Sequence, residues 1–182
     1  MHHHNFKLGL VALLFLGLSS YYTVHYGWYP IASVNGELVL AHDYYKIINS
    51  GFIFYTNALA TYQKVNLKIS DAGNLYQNIA KTSFDKLIEQ KLISHEFSLR
   101  NGSEVNGLVD KKLSRVKNDS LKEPVAKLYG LTMSEFRKFI LEPEAKRELL
   151  IEDFKINNED FGVWLDAAKK NASLRIFIPS LR

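Results

Sequence analysis

Val34-Asn35-Gly36-Glu37-Leu38-Val39 is the stretch on which the fold turns. Asn and Gly tolerate positive φ, and the pair between apolar runs is the strongest short signal for a two-residue hairpin. The flanks, Ile31 to Val34 and Leu38 to Leu40, are therefore read as two short paired strands. Nearly everything after them carries helical spacing, until Leu174, Ile176 and Ile178 alternate at the far end. One strand cannot stand alone, so it is expected to join the hairpin and bring the two ends of the domain together. The expected fold class is mainly α, with a small sheet formed by an N-terminal hairpin and a C-terminal strand. The globular domain spans 30–182, with its closure between Pro30 and Pro179.

Between those ends, from Asp43 to about Asn66, Tyr45, Ile48, Phe52, Tyr55, Leu59 and Tyr62 fall on one helical face. Tyr44, Ile47, Phe54 and Ala58 form a second stripe beside it. Together the stripes are wider than a helix lying on a single core requires. The helix is either enclosed by several neighbours or leaves part of its aromatic face free. Tyr44, Tyr45, Phe52, Phe54, Tyr55 and Tyr62 are the candidate binding residues, because large amphipathic rings bury much area with little rotamer loss.

Ser70, Asp71, Gly73 and Asn74 read as a loop or broken helix over Lys68 to Asn78. A second helix is expected from Thr82 or Ser83, with Phe84, Leu87, Ile88, Leu92 and Leu99 on one face and a stop at Asn101-Gly102. Ser103 is placed as the cap of a short helix bearing Val105, Leu108, Val109 and Val116. Leu121, Val125 and Leu128 mark another, closed by Gly130. Thr132-Met133-Ser134-Glu135 has the form of a capping box, opening a helix with Phe136, Phe139, Ile140, Leu149, Leu150 and Phe154. Pro143 is expected to kink or split it. Asn157 or Asn158 is expected to cap a last helix containing Phe161, Trp164, Leu165 and Ala168.

The 182 residues, 47% of them apolar, hold one hydrophobic segment and one domain with a real core. There are no cysteines, which excludes disulfides, thiolate metal sites and cysteine nucleophiles. The net charge of +4 comes from lysines that alternate with acids, as in Asp85-Lys86 and Lys146-Arg147-Glu148, the pattern of a solvated helix surface. No nucleic-acid partner is expected. His25, His42 and His95 lack ligand or triad spacing, and His95, between Leu92 and Leu99, is read as a core histidine bonded to a nearby polar group. Glu142 with Glu144 and Glu152 with Asp153 are read as surface acids rather than an acid–base pair. No phosphate loop, nucleophile elbow or zinc signature occurs, so neither catalysis, metal nor cofactor is expected.

Leu8 to Leu18 is an uncharged apolar run of eleven residues, and the stretch Phe6 to Val24 reaches the length of a bilayer-spanning helix. Tyr21, Tyr22, Tyr26, Trp28 and Tyr29 follow where an interfacial aromatic belt would lie. Residues 1–29 are expected to anchor the domain in a cytoplasmic membrane, single-pass, with the N-terminus inside as Lys7 favours and the domain on the outer face. The alternative is a cleaved signal segment, for which Gly17-Leu18-Ser19 supplies small residues.

The order of these elements resembles the N-terminal chaperone domain of SurA-type periplasmic foldases, with related helical regions in PrsA-like proteins and trigger factor. It rests on Val34-Asn35-Gly36-Glu37, on Phe84-Asp85-Lys86-Leu87-Ile88-Glu89-Gln90-Lys91-Leu92-Ile93, on Gly130-Leu131-Thr132-Met133-Ser134-Glu135-Phe136 and on Trp164-Leu165 before Arg175-Ile176-Phe177-Ile178. The resemblance implies a helical cradle whose partners are unfolded or newly exported polypeptides. Such proteins often carry a parvulin prolyl-isomerase domain; too few residues follow the later helix here to hold one, so no such domain is expected, and the resemblance then implies a binding role without enzymatic activity. A structural or adaptor subunit docking a fixed protein partner is the alternative from another class.

Overall fold

A computed structural model describes residues 17–62, 69–116 and 118–181, with side chains at 62, 69–71, 118–119 and 180 outside the described set. After a helical stretch at 17–25 (α1) come β1 (Pro30–Val34) and β2 (Glu37–Leu40). Helices α2 (Ala41–Tyr62), α3 (Ile69–Asn101), α4 (Val105–Leu113) and α5 (Asn118–Tyr129) follow. A single turn, α6 (Met133–Phe136), leads through a π-turn at Arg137–Leu141 into α7 (Glu142–Ile156), then α8 (Phe161–Asn171) and β3 (Leu174–Ile176).

The sheet forms as the hairpin signal requires. Asn35 and Gly36 hold φ of 51° and 90°, the positive values that a two-residue turn with the strands' own twist demands. Strand order is β2-β1-β3 and both pairings are antiparallel, with Ser33 opposite Leu38 on one side and Arg175 on the other. The turn itself is tied to the C-terminal end: the Asn35 amide donates to the Ser173 carbonyl at 3.0 Å, and the Ser173 amide donates to Asn35 Oδ1 at 2.8 Å. The expected meeting of the two ends is therefore present. Ile178 lies beyond β3, packed against the core.

Helix α3, 33 residues and so about 50 Å long, is the spine on which two cores hang. Its first half packs with the sheet and α2 around Ile31, Val34, Val39, Tyr44, Ile48, Ile79 and Phe84. Its second half packs with α4, α7 and α8 around Ile93, Phe97, Val109, Leu150, Phe154 and Leu165. The spine starts well before Thr82, contrary to the broken helix expected over Lys68 to Asn78. Leu75, Ile79 and Ala80 pack onto the first core, and that tertiary burial outweighs the poor helix propensity of Gly73 and Asn74. Residues 63–68, where the end of the preceding helix was expected, lie outside the described residues.

Several local readings are corrected. Gly102 does end α3, with φ +54°, but a 3-10 turn over Gly102–Glu104 follows and no side chain caps α4, so Ser103 is not its cap. The cap of α8 is Asp160, whose Oδ1 accepts from the Val163 amide at 3.0 Å; Asn157 instead ends α7, and Asn158 takes φ +55°. His95 is exposed rather than buried in the core, with Nδ1 3.4 Å from Glu37 Oε1. Pro143 splits its helix through the π-turn, where the Glu142 amide reaches back to the Arg137 carbonyl, so that the proline falls in the first turn of α7 and breaks no bond there. The capping box at Thr132 and Glu135 has both reciprocal bonds.

The apolar run Leu8 to Leu18 lies almost wholly outside the described residues. Among the described residues no helix is long and apolar enough to cross a membrane.

Candidate functional site

The described surface has an apolar cleft of about 470 Å³ where α2, α3, the end of α5 and the π-turn meet. Its floor is Ile47, Leu75, Ile79 and Ile140, and its aromatic walls are Phe54, Tyr55 and Tyr129. Small residues make the space: Ser50, Gly51 and Ser83 lie where α2 and α3 approach, and a Cβ on Gly51 would stand 3.0 Å from Ile79 Cγ2. The hollow beside them is left by the absence of larger side chains. Thr82 and Asn78 give the rim hydrogen-bonding groups, Lys86 gives it a cation, and no carboxylate lines it.

The walls are positioned from outside the cleft. Tyr129 stacks on Phe54 with centroids 5.1 Å apart and planes 9° apart, and is backed by Phe136 at 5.2 Å. Asn57 Nδ2 donates to the Lys127 carbonyl at 2.9 Å, fastening the end of α5 to α2. Gly130, φ +63°, turns the chain directly afterwards; any side chain there would have to accept the left-handed backbone and push aside Ile53 Cδ1, 2.5 Å from where its Cβ would stand. The next element is locked by Glu135, which accepts from Lys46 of α2 at 2.7 Å as well as from the Thr132 amide at 2.9 Å. Lys46 first, then that amide, hold the Glu135 carboxyl down to about 2.

The six residues expected from the sequence divide among several environments. Phe54 and Tyr55 line the cleft, the latter 51% exposed. Tyr44 is buried in the first core, edge-on to Phe84, its hydroxyl donating to the Ala80 carbonyl at 3.4 Å; burial, with Tyr45 and Tyr76 nearby, raises its phenol pKa. With Ala80, Phe84 and Ile176 it lines a hollow separate from the cleft. Phe52 is half-buried against Tyr76, away from the cleft lining, and Tyr45 is exposed at a groove beside α1. The Tyr62 side chain lies outside the described residues. Enclosure and exposure thus both occur on α2, on different arcs.

Sequence reasoning missed Leu75, Ile79, Tyr129 and Ile140 as lining residues. The spacing of Leu75 and Ile79, i and i+4, was the available signal for the first two. Comparison with family models, with curated proteins and with solved structures finds no match to this chain. The site must be judged on its own geometry.

The cleft is lined mainly by apolar and aromatic side chains. Of the four acids singled out in the sequence, three are engaged in surface ion pairs: Glu142 with Arg137 at 2.9 Å, Glu152 with Lys112 at 2.8 Å, and Asp153 with Arg100 at 2.9 Å. Glu89, which burial would raise, is held below its ordinary pKa by bonds from Lys169 and Arg147 that tie α3 to α8 and α7. Among the described residues no three His, Asp or Glu side chains are grouped to hold a metal.

Proposed function

We propose that the chain is a membrane-anchored, extracytoplasmic binding domain of SurA type that transiently holds unfolded or newly exported polypeptides, without catalysis. The observation that carries this reading is the cleft between α2, α3 and α5: an apolar floor, half-exposed Tyr55 on its rim and hydroxyl and amide groups around it. Such a site takes apolar side chains of many sequences, since burial is proportional to area and not directional. The hydroxyls of Tyr55, Tyr129 and Thr82 and the amide of Asn78 can meet the backbone of an extended segment. The uncharged run Leu8 to Leu18 supports a tether at the domain's N-terminal side.

The test is suppression of aggregation of a chemically unfolded model protein by the full chain reconstituted in lipid vesicles. Suppression near equimolar ratio, weakened by Tyr55→Ser without loss of fold, is the expected result. A well-folded chain that suppresses nothing and binds one envelope protein in fixed ratio would make it an adaptor instead.

A further inference from the structure

Residues 17–29 leave a contiguous set of large side chains uncovered. Leu18, Tyr21, Tyr22, Val24, Tyr26 and Trp28 are each between 53% and 67% exposed, a concentration that soluble surfaces avoid. From Leu8 through Tyr29 the sequence contains no Asp, Glu, Lys or Arg. The rings are ordered among themselves: Tyr22 stacks on Tyr26 at 5.9 Å with planes 1° apart, and Tyr21 stacks on His25 at 5.5 Å.

This set is fastened to the domain without a spacer. The Trp28 amide donates to the Thr23 carbonyl at 2.9 Å, closing α1. The His42 amide donates to the Gly27 carbonyl at 2.8 Å, and the Ala41 amide to the Tyr29 carbonyl at 3.0 Å, joining the turn to the start of α2. Gly27 has φ +68°, and a Cβ there would lie 2.9 Å from the His42 nitrogen, so the approach requires glycine. Trp28 stacks over His42 at 6.1 Å.

We propose that this α1–α2 junction is a membrane seat: the exposed rings lie in the headgroup zone of the bilayer, and the backbone lock at Gly27 holds the domain at a fixed attitude to it. The occupant is lipid because in the sequence the apolar run Leu8 to Leu18 leads into these rings with no charge between, and because Tyr and Trp combine an apolar body with a polar edge suited to that zone. The junction groove, lined by His25, Tyr26, Tyr29, His42 and Tyr45, is also aromatic and polar, with Lys46 as its one charged lining residue. Phe54 and Tyr55 lie twelve and thirteen residues along α2 from His42, so the cleft would stand about 20 Å along the helix from the seat. The inference rests on the anchor reading.

The experiment uses the full chain with Trp164→Phe, so that Trp28 is the sole indole, in phosphatidylcholine vesicles containing nitroxide labels at the headgroup or deep in the acyl chains. Headgroup-labelled lipid should quench Trp28 more strongly than deep-labelled lipid or a water-soluble quencher. The cysteine-free chain also permits a Leu18→Cys/Lys86→Cys spin-label pair, which should give a narrow distance distribution that Gly27→Val broadens. Chain bound to vesicles with Trp28 quenched chiefly from water, or a distribution already broad before Gly27 is changed, overturns the seat and leaves the anchor standing. Failure to associate with vesicles at all overturns both.

Discussion

Replacing Tyr55 by serine tests the proposed holding role separately from folding. The Tyr55 side chain is 51% exposed at the cleft rim. A tyrosine ring buries about 150–250 Å² when fully covered, so about 100 Å² remains for a bound segment to cover. At about 25 cal/mol per Å² that area contributes about 2.5 kcal/mol, and ordering the ring and its contacts removes about 0.5–1.5 kcal/mol. Tyr55→Ser should therefore weaken binding by about 1–2 kcal/mol, or about 5- to 30-fold in Kd. The fold should be little affected, because the buried half of the ring packs at a rim and not in either core. Fluorescence anisotropy of a labelled, aromatic-rich unfolded peptide reads the first quantity, and thermal melting followed by circular dichroism reads the second. Ile48→Ser, at a fully buried position, is the contrast: it should destroy the fold and not merely the binding. Wild-type affinity in a folded Tyr55→Ser chain would refute the cleft as the binding surface, and loss of fold in Tyr55→Ser would make the residue core.

Three further outcomes follow from the packing. Leu150, 0% exposed in the second core, should lose about 3–5 kcal/mol of stability when changed to alanine, read as a lowered urea midpoint. Gly130→Ala should cost about 1–2 kcal/mol for the left-handed backbone alone, and displacing the Ile53 methyl should add to it; an unchanged melting temperature would contradict the observed turn. Glu135 is ionised more readily in the fold than its ordinary value of 4.5 allows, so its stabilising effect is full above that value and is lost as pH falls towards about 2; Glu135→Gln should flatten that part of the stability–pH curve.

What could be read from the sequence was whatever short-range chemistry decides. Asn35-Gly36 carries its turn in two residues, Thr132 and Glu135 carry their cap in four, and Gly102 and Gly130 mark helix ends by φ alone. The closing of the two ends followed because β3 had nowhere else to pair. The start of α3 was not legible, since Gly73 and Asn74 are poor helix formers locally and only Leu75 and Ile79, packed on α2 and the sheet, show why the helix continues through them. Likewise the cleft depends on Tyr129 reaching Phe54 across 75 positions of sequence, and on small residues at Ser50, Gly51 and Ser83 whose meaning is set by what approaches them. Tyr44 and Tyr55 carry the same type of ring on the same helix; the neighbours of each, not its spacing, place one in the core and the other on the rim.

The most direct test of the proposed holding role is a photo-crosslinker at position 55, compared with one at Val163, which is 69% exposed on α8 and outside the cleft lining. With a defined, chemically unfolded polypeptide, crosslinking should occur at 55 and not at 163, and a second unfolded polypeptide of unrelated sequence should compete it away. Equal crosslinking at both positions, or crosslinking at 55 that no unrelated polypeptide displaces, would contradict a cleft that holds unfolded chains.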